Sequence, residues 1–201
     1  NPVGIVQGYV SEGIYTVDDF NYVDGKYVLK DGIPDFSGSG VVNYPNGVKE
    51  LVPAGQTAFP GAAKFKDVDG NGVIDADDYD IVGNLLPRHS GGFGLMANWK
   101  NFDLSAHFTF QLDGQIYNAN AMHSMMGNKD TSFGDNRLAY VSDCWKSYNV
   151  DKDGSLYLIT DPAELAAFNA KAKYAVPYSE YGITTSEYIE DAAFLRLNTL
   201  T

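Results

Sequence analysis

The residues from Phe102 to Asp113 alternate without a break. Phe102, Leu104, Ala106, Phe108, Phe110 and Leu112 fall on one side, and Asp103, Ser105, His107, Thr109, Gln111 and Asp113 on the other. Successive strand side chains point to opposite faces, so this run dictates a strand with one apolar and one polar face. Upstream, Phe93, Leu95, Ala97 and Trp99 alternate with Gly92, Gly94, Met96 and Asn98, and only Lys100-Asn101 separates the two runs. So short a link makes them a tight antiparallel hairpin. A protein core and a lipid bilayer would both satisfy its apolar face, because a transmembrane β-strand alternates in the same way.

Composition narrows the choice. No run approaches the roughly 18 to 20 continuous apolar residues of a spanning helix, which excludes a helical membrane protein. The 201 residues carry 26 Asp and Glu against 14 Lys and Arg, a net charge of −12. No basic face for phosphates is available, so a nucleic-acid partner is not expected. The single cysteine, Cys144, excludes an internal disulfide and, beside Trp145, reads as a packed small hydrophobe. The chain opens on Asn-Pro without a signal peptide and closes inside an alternating run, Phe194–Thr201, with no turn or cap. A piece of something longer is the expectation.

Four zones follow from the punctuation. Residues 1–87 form the first, with residues 1–60 rich in Gly, Tyr and Val and 61–87 holding an acidic loop; turn signals stand at Asp24-Gly25, Asp31-Gly32 and Asn46-Gly47. Phe20–Val23 and Lys26–Lys30 flank the first and read as a hairpin with a primed turn. Val41–Tyr44 and Val48–Val52 flank the third and read as a second hairpin. Residues 88–113 are the amphipathic hairpin. Residues 114–190 hold no comparable strand, but Asp161-Pro162-Ala163-Glu164 has an N-cap acid, an early Pro and a capping-box Glu. A helix is expected from there through Lys173, and a short one over Asn120–Met126. Residues 191–201 return to extended character.

The sharpest local motif is Asp67-Val-Asp69-Gly-Asn71-Gly72-Val73-Ile74-Asp75-Ala-Asp77-Asp78. Numbered as a twelve-position calcium loop, it puts oxygen side chains at 1, 3 and 5 (Asp67, Asp69, Asn71). Gly72 then sits at the sharp turn, the Val73 carbonyl at 7, the apolar anchor Ile74 at 8, Asp75 at 9 and Asp78 at 12. A hard cation takes six to eight oxygens, and a wrapped loop supplies them from one short stretch. Asp in place of Glu at the last position is a dockerin-like variant with a shorter reach. The expected ligand is one structural Ca²⁺. An echo at Asn149-Val-Asp151-Lys-Asp153-Gly154 lacks a closing acid, since Thr160 stands there, and reads as a turn. His89, His107 and His123 have no metal-ligand spacing. No phosphate loop, GxSxG or Ser/His/Asp set is present, so an enzyme is not expected.

Several segments, in order, resemble the SusC/RagA-type TonB-linked outer-membrane transporters of Bacteroidetes. They are Gly4-Ile-Val-Gln-Gly8-Tyr9, Gly13-Ile14-Tyr15, Pro60-Gly61, Lys66-Asp67-Val-Asp69-Gly-Asn71-Gly72, Gly83-Asn84 and Pro87. After these come Asn101-Phe102-Asp103-Leu104-Ser105, Asp143-Cys-Trp145 and Tyr188-Ile-Glu-Asp191-Ala-Ala-Phe194-Leu195-Arg196-Leu197. The resemblance implies a mainly β fold: antiparallel transmembrane strands of a TonB-dependent barrel of roughly 22 strands, with long extracellular loops holding short hairpins and short helices. It implies uptake of large nutrients, glycan or peptide, across the cell outer membrane. A SusD-like lipoprotein would lid the mouth, and TonB would act through an N-terminal part outside this chain. Asn198-Thr199 departs from the family's longer basic-Asn run, which leaves the register near the end open. Short periplasmic turns and long outer loops would place Lys100-Asn101 inside and residues 1–87 and 114–190 outside. The contrasting expectation is a soluble, calcium-clipped β-rich surface binding or adhesion module.

Overall fold

The computed structural model describes residues 3–36, 44–126, 139–177 and 183–201, with side chains undescribed at 123–126. Among the described residues the fold is mainly β, with two short α-helices, Ala119–Met126 and Pro162–Phe168. Among the described residues no helix is long and apolar enough to cross a membrane, which says nothing of a β-barrel.

The period-two run forms the strand Phe102–Leu112, the centre of a three-stranded antiparallel sheet. His89–Trp99 pairs on one side in unbroken register, from Phe102 opposite Trp99 to Leu112 opposite His89. Phe194–Leu200 pairs on the other. Directly opposite residues share a face, so Trp99, Ala97, Leu95 and Phe93 join Phe102, Leu104, Ala106 and Phe108. The Phe93 and Phe108 rings stack, with centroids 4.9 Å apart. The opposite face is bound by polar cross-strand pairs: Asn98 to Asp103 at 2.6 Å, Ser105 with Thr201 at 2.6 Å, and Asn198 to Thr109 at 3.1 Å.

The register left open near the end resolves into a β-bulge. His107 opposes Thr199 but Phe108 opposes Leu197, so Asn198 is the extra residue. If regular pairing continued from Phe108 and Leu197, Thr199 would instead oppose Ala106 on the apolar face. The bulge keeps Leu195, Leu197 and Leu200 with Phe110, Phe108 and Ala106.

Among the described residues, the rest folds at the end of the sheet away from Lys100-Asn101, and the two outer zones make one body. Tyr15, Phe20, Tyr27, Val52 and Phe59 share a buried cluster with Trp145, Ile159 and Leu165. Tyr9, Phe36, Phe65 and Ile74 share a second with Ala175 and Ile183. Backbone bonds stitch the zones: Tyr9 N–H to the Thr184 carbonyl at 3.0 Å, Ser186 N–H to Tyr9 at 2.9 Å and Val176 N–H to Gly61 at 2.8 Å. Cys144 is buried in a third cluster with Tyr188, as its neighbour Trp145 led us to expect.

The Asp24-Gly25 hairpin forms as expected, with both turn residues at positive φ. The second hairpin does not. Val41, Val42 and Asn43 lie outside the described residues, and Val48–Val52 is a turn leading into a 3₁₀ segment, Lys49–Leu51. Val48 and Val52, which flank that segment, are both buried in the first cluster; residues four apart also share a face of a strand, so the pattern of the two valines fitted either form. The helix at Asp161 starts as expected, with the Asp161 carboxylate accepting the Glu164 N–H at 2.8 Å, but it stops at Phe168 rather than Lys173. Asn169 ends it: its amide accepts from Lys146 N–H at 2.7 Å and donates to the Lys146 and Leu165 carbonyls. Of the stretch expected to turn, Asp151–Gly154 does so, while Asn149 and Val150 belong to the strand Tyr148–Val150 that the turn joins to Leu156–Leu158.

Candidate metal centre

The acidic loop is built outward from two anchors. Ile74 is fully buried and, with Val73, forms a short parallel bridge to Asp35-Phe36. Asp78 is also fully buried, and its two oxygens accept the N–H groups of Val68 (2.7 Å) and Asp75 (2.8 Å). One carboxylate thus ties both ends of the loop together. Asp67 shapes the turn, accepting Gly72 N–H at 2.7 Å and Gly70 N–H at 2.6 Å. The Gly72 N–H foremost, with Gly70 adding to it, holds Asp67 below the usual carboxylate range.

Asp67, Asp69 and Asp78 converge, with one oxygen from each lying within 4.8 Å of the others. Oxygens bound at 2.3–2.6 Å to one ion lie at most about 5 Å apart, so this spacing suits a single hard cation. The donors are all oxygen, which fits Ca²⁺ and not a thiolate-seeking metal. Asp78 keeps a lone pair on each oxygen after accepting its N–H. The remaining expected ligands are placed less directly. Asn71 accepts Val73 N–H at 2.7 Å and donates to Asp69 at 3.0 Å. Val73 is exposed beside it. Asp75 caps the following 3₁₀ turn through Asp77 N–H at 2.9 Å, outside the three-carboxylate group. The ninth position of such loops often reaches its ion through a water, which asks nothing more of Asp75.

Sequence reasoning found the ring of acids but not what sits behind it. Tyr79 stacks on Tyr9 at 4.5 Å. Burial, with Tyr79 and Asp78 nearby, pushes the Tyr9 phenol up to about 12. Asp35 accepts the Thr57 and Ala58 N–H groups at 2.9 and 2.7 Å and so fixes the strand that carries Ile74's partner. Neither feature has a local signal, because both are contacts between residues far apart in the chain.

An amphipathic antiparallel sheet carrying a folded body at one end makes this a mainly β chain, and strands with such alternation are also those of outer-membrane barrel walls. No family model matches the chain. Two curated proteins of Formosa agariphila are similar to it. TonB-dependent receptor P3 is 28% identical over 158 residues, 79% of this chain and 13% of the receptor. TonB-dependent receptor P26 is 23% identical over 177 residues, 87% of this chain and 16% of the receptor. These matches support the TonB-dependent receptor family, and the chain spans only a small part of the length of either relative.

Proposed function

We propose that the chain is part of a SusC/RagA-type TonB-dependent transporter of the outer membrane, its sheet in the barrel wall and its body outside the cell. The supporting observation is the sheet's apolar face, which lies open across all three strands: Leu95 is 59% exposed, Phe102 72% and Leu200 60%. Soluble proteins rarely leave so broad an apolar surface in water, and hydrocarbon would cover it. Eleven residues span about 36 Å, and a 45° tilt projects this to about 25 Å, the height of an outer-membrane apolar band. Trp99 and Phe102, paired beside the turn, fall where an interfacial aromatic girdle would lie. Phe102, Leu104, Ala106, Phe108, Phe110 and Leu112 then face lipid, and Asp103, Ser105, His107, Thr109 and Gln111 face the lumen. A soluble calcium-clipped module would account for the body but would leave this face wet.

In this topology Lys100-Asn101 is periplasmic. Thr160 is exposed on the body, so Thr160→Cys should react with a membrane-impermeant thiol reagent on intact cells. Protection there, in well-expressed receptor, would remove the topology.

The activity proposed is import of a glycan or peptide, energised by TonB through the part of the receptor outside this chain. A SusD-like lipoprotein would lid the mouth, touching the 114–190 segment. Removing that segment outright would take Trp145, Ile159 and Leu165 from the core, so surface changes are the better test. Val150 and Leu156 oppose each other on their hairpin, 54% and 73% exposed. Val150→Asp with Leu156→Asp should weaken capture of the lipoprotein about tenfold, some 1.4 kcal/mol. Unchanged capture would exclude this hairpin from the contact.

For the acidic loop, the proposed ligand is one Ca²⁺ held by Asp67, Asp69 and Asp78, with Asn71, the Val73 carbonyl and Asp75 completing the shell. Its role is structural: cation charge offsets carboxylate repulsion and fixes the loop. Extracellular calcium modules work at about 10⁻⁴ to 10⁻³ M, and this site need be no tighter. Asp67→Ala with Asp69→Ala should abolish the calorimetric signal for Ca²⁺ and increase protease cutting between residues 60 and 87. A loop equally protected in chelator, with no heat on adding Ca²⁺, would leave an acidic turn alone.

A further inference from the structure

The three sheet strands do not run smoothly into the body; they break, and they break at one level. Leu85–Arg88 separates the strand Asp80–Asn84 from His89–Trp99, Asp113-Gly114 separates Phe102–Leu112 from Gln115–Tyr117, and Ala192-Ala193 separates Ile189–Asp191 from Phe194–Leu200. The breaks are neighbours. Gln111 opposes Phe194 below them, Gln115 opposes Asp191 above them, and the Gln115 side chain accepts Asn84 N–H at 2.8 Å. Asp113 stands at φ +59°, a left-handed conformation that is costly for a non-glycine residue, so the strand turns out of its own path there. A cavity of about 590 Å³ opens at this level, lined by Asn84, Arg88, Leu112, Asp113, Gln115 and Asp191.

Packing divides along the same line. The three buried clusters, among the described residues, draw nothing from His89–Leu112 or Phe194–Leu200. A close-packed core resists deformation, and a hydrogen-bonded sheet does too. What joins the two is the row of connectors. Hinges are a few element-terminal residues that absorb a change in φ and ψ. The main-chain bonds described at this level, Ala192 N–H to Gly114 at 2.8 Å and Leu85 N–H to Gly4 at 2.7 Å, run across from one chain path to the next. Among the described residues, the Asn84 and Asp191 side chains accept only from their own connectors, Leu86 N–H at 3.0 Å and Ala193 N–H at 2.8 Å. Interstrand bonds lie perpendicular to the strands, hence along the line of breaks, and a tilt about that line leaves them intact.

We propose that the outer body tilts as one rigid unit about the line Leu85–Arg88, Asp113-Gly114 and Ala192-Ala193, and so widens or narrows the mouth beside it. This rests on the sheet being barrel wall. The cavity is the free volume the tilt uses, and the connectors are its axis.

Distances between paired spin labels in the whole receptor in detergent test the idea. Lys66→Cys with Thr160→Cys spans the two chain segments of the body, and Thr160→Cys with Asn101→Cys spans the break line; Cys144 is buried and stays unlabelled. The body pair should give one narrow distribution and the crossing pair one at least twice as broad. A crossing pair as narrow as the body pair would overturn the hinge, and a body pair as broad as the crossing pair would overturn the rigid unit. Failure of the barrel reading is separate: it appears as protection of position 160 on intact cells, whatever the distance widths.

Discussion

Phe108→Arg should all but abolish assembled receptor in the outer membrane, while His107→Arg, one residue away, should be tolerated. Phe108 sits mid-strand on the apolar face, stacked on Phe93 and opposite Leu197. A cation at the bilayer midplane of a barrel costs about 2–4 kcal/mol, and the lost ring stack adds about 0.5–1.5 kcal/mol. His107 points the other way, beside Thr199 and Gly94, where a lumen admits charge. The measurement is the heat-modifiable, folded fraction of receptor in isolated outer membranes. Equal loss from both changes would contradict the assignment of faces, because only the side of the sheet distinguishes them.

The second large effect is expected at Gly61. Its φ is +98°, and a Cβ there would stand 2.6 Å from Trp145 Cγ and 2.7 Å from Nε1. Trp145 is 3% exposed, walled in by residues of both chain segments, so its ring has no room to retreat. Strained backbone and overpacking act together, and Gly61→Ala should destabilise the body by about 2–4 kcal/mol. The Gly61 carbonyl also receives Val176 N–H, so the same change loosens the seam between segments. Limited proteolysis should then cut in the second segment as well as the first. Cutting confined to residues near 61 would mean that the two segments are less coupled than their shared core implies.

Local physics made part of this fold legible. Alternation from Phe102 to Leu112 gave both the strand and its faces, because period two has only one regular realisation in a chain. Asp24-Gly25 and Asp161-Pro162 were readable because a primed turn and a capped helix are each decided by a few adjacent residues. The calcium-type spacing likewise pointed to Asp67, Asp69 and Asp78, whose oxygens the fold brings together. Long-range features were not readable. Val48 and Val52 look like strand residues until the core they enter is known. Asn198 looks like one more polar alternation until Leu197 and Leu200 are both required on one face. Asp78 was counted as a ligand by its position, whereas its burial and its hold on Val68 and Asp75 come from the loop closing on itself. Nothing local announces that Tyr9 will bond Thr184 and Ser186, since 175 or more residues separate them and only the finished body brings them together.

That separation bears on how such a surface could be exchanged between receptors. The body is encoded in two stretches with the hairpin between them, and both supply residues to the same interior. Grafting residues 5–84 alone would bring Tyr27 and Phe59 to a host that lacks Ile159 and Trp145 in matching positions. Grafting 115–191 alone would fail in the mirror sense. A recombination that transplants both stretches and leaves the hairpin in place would carry a whole outer surface onto a foreign barrel. Variation of this body's surface is therefore expected to be inherited in linked pairs of segments, not loop by loop.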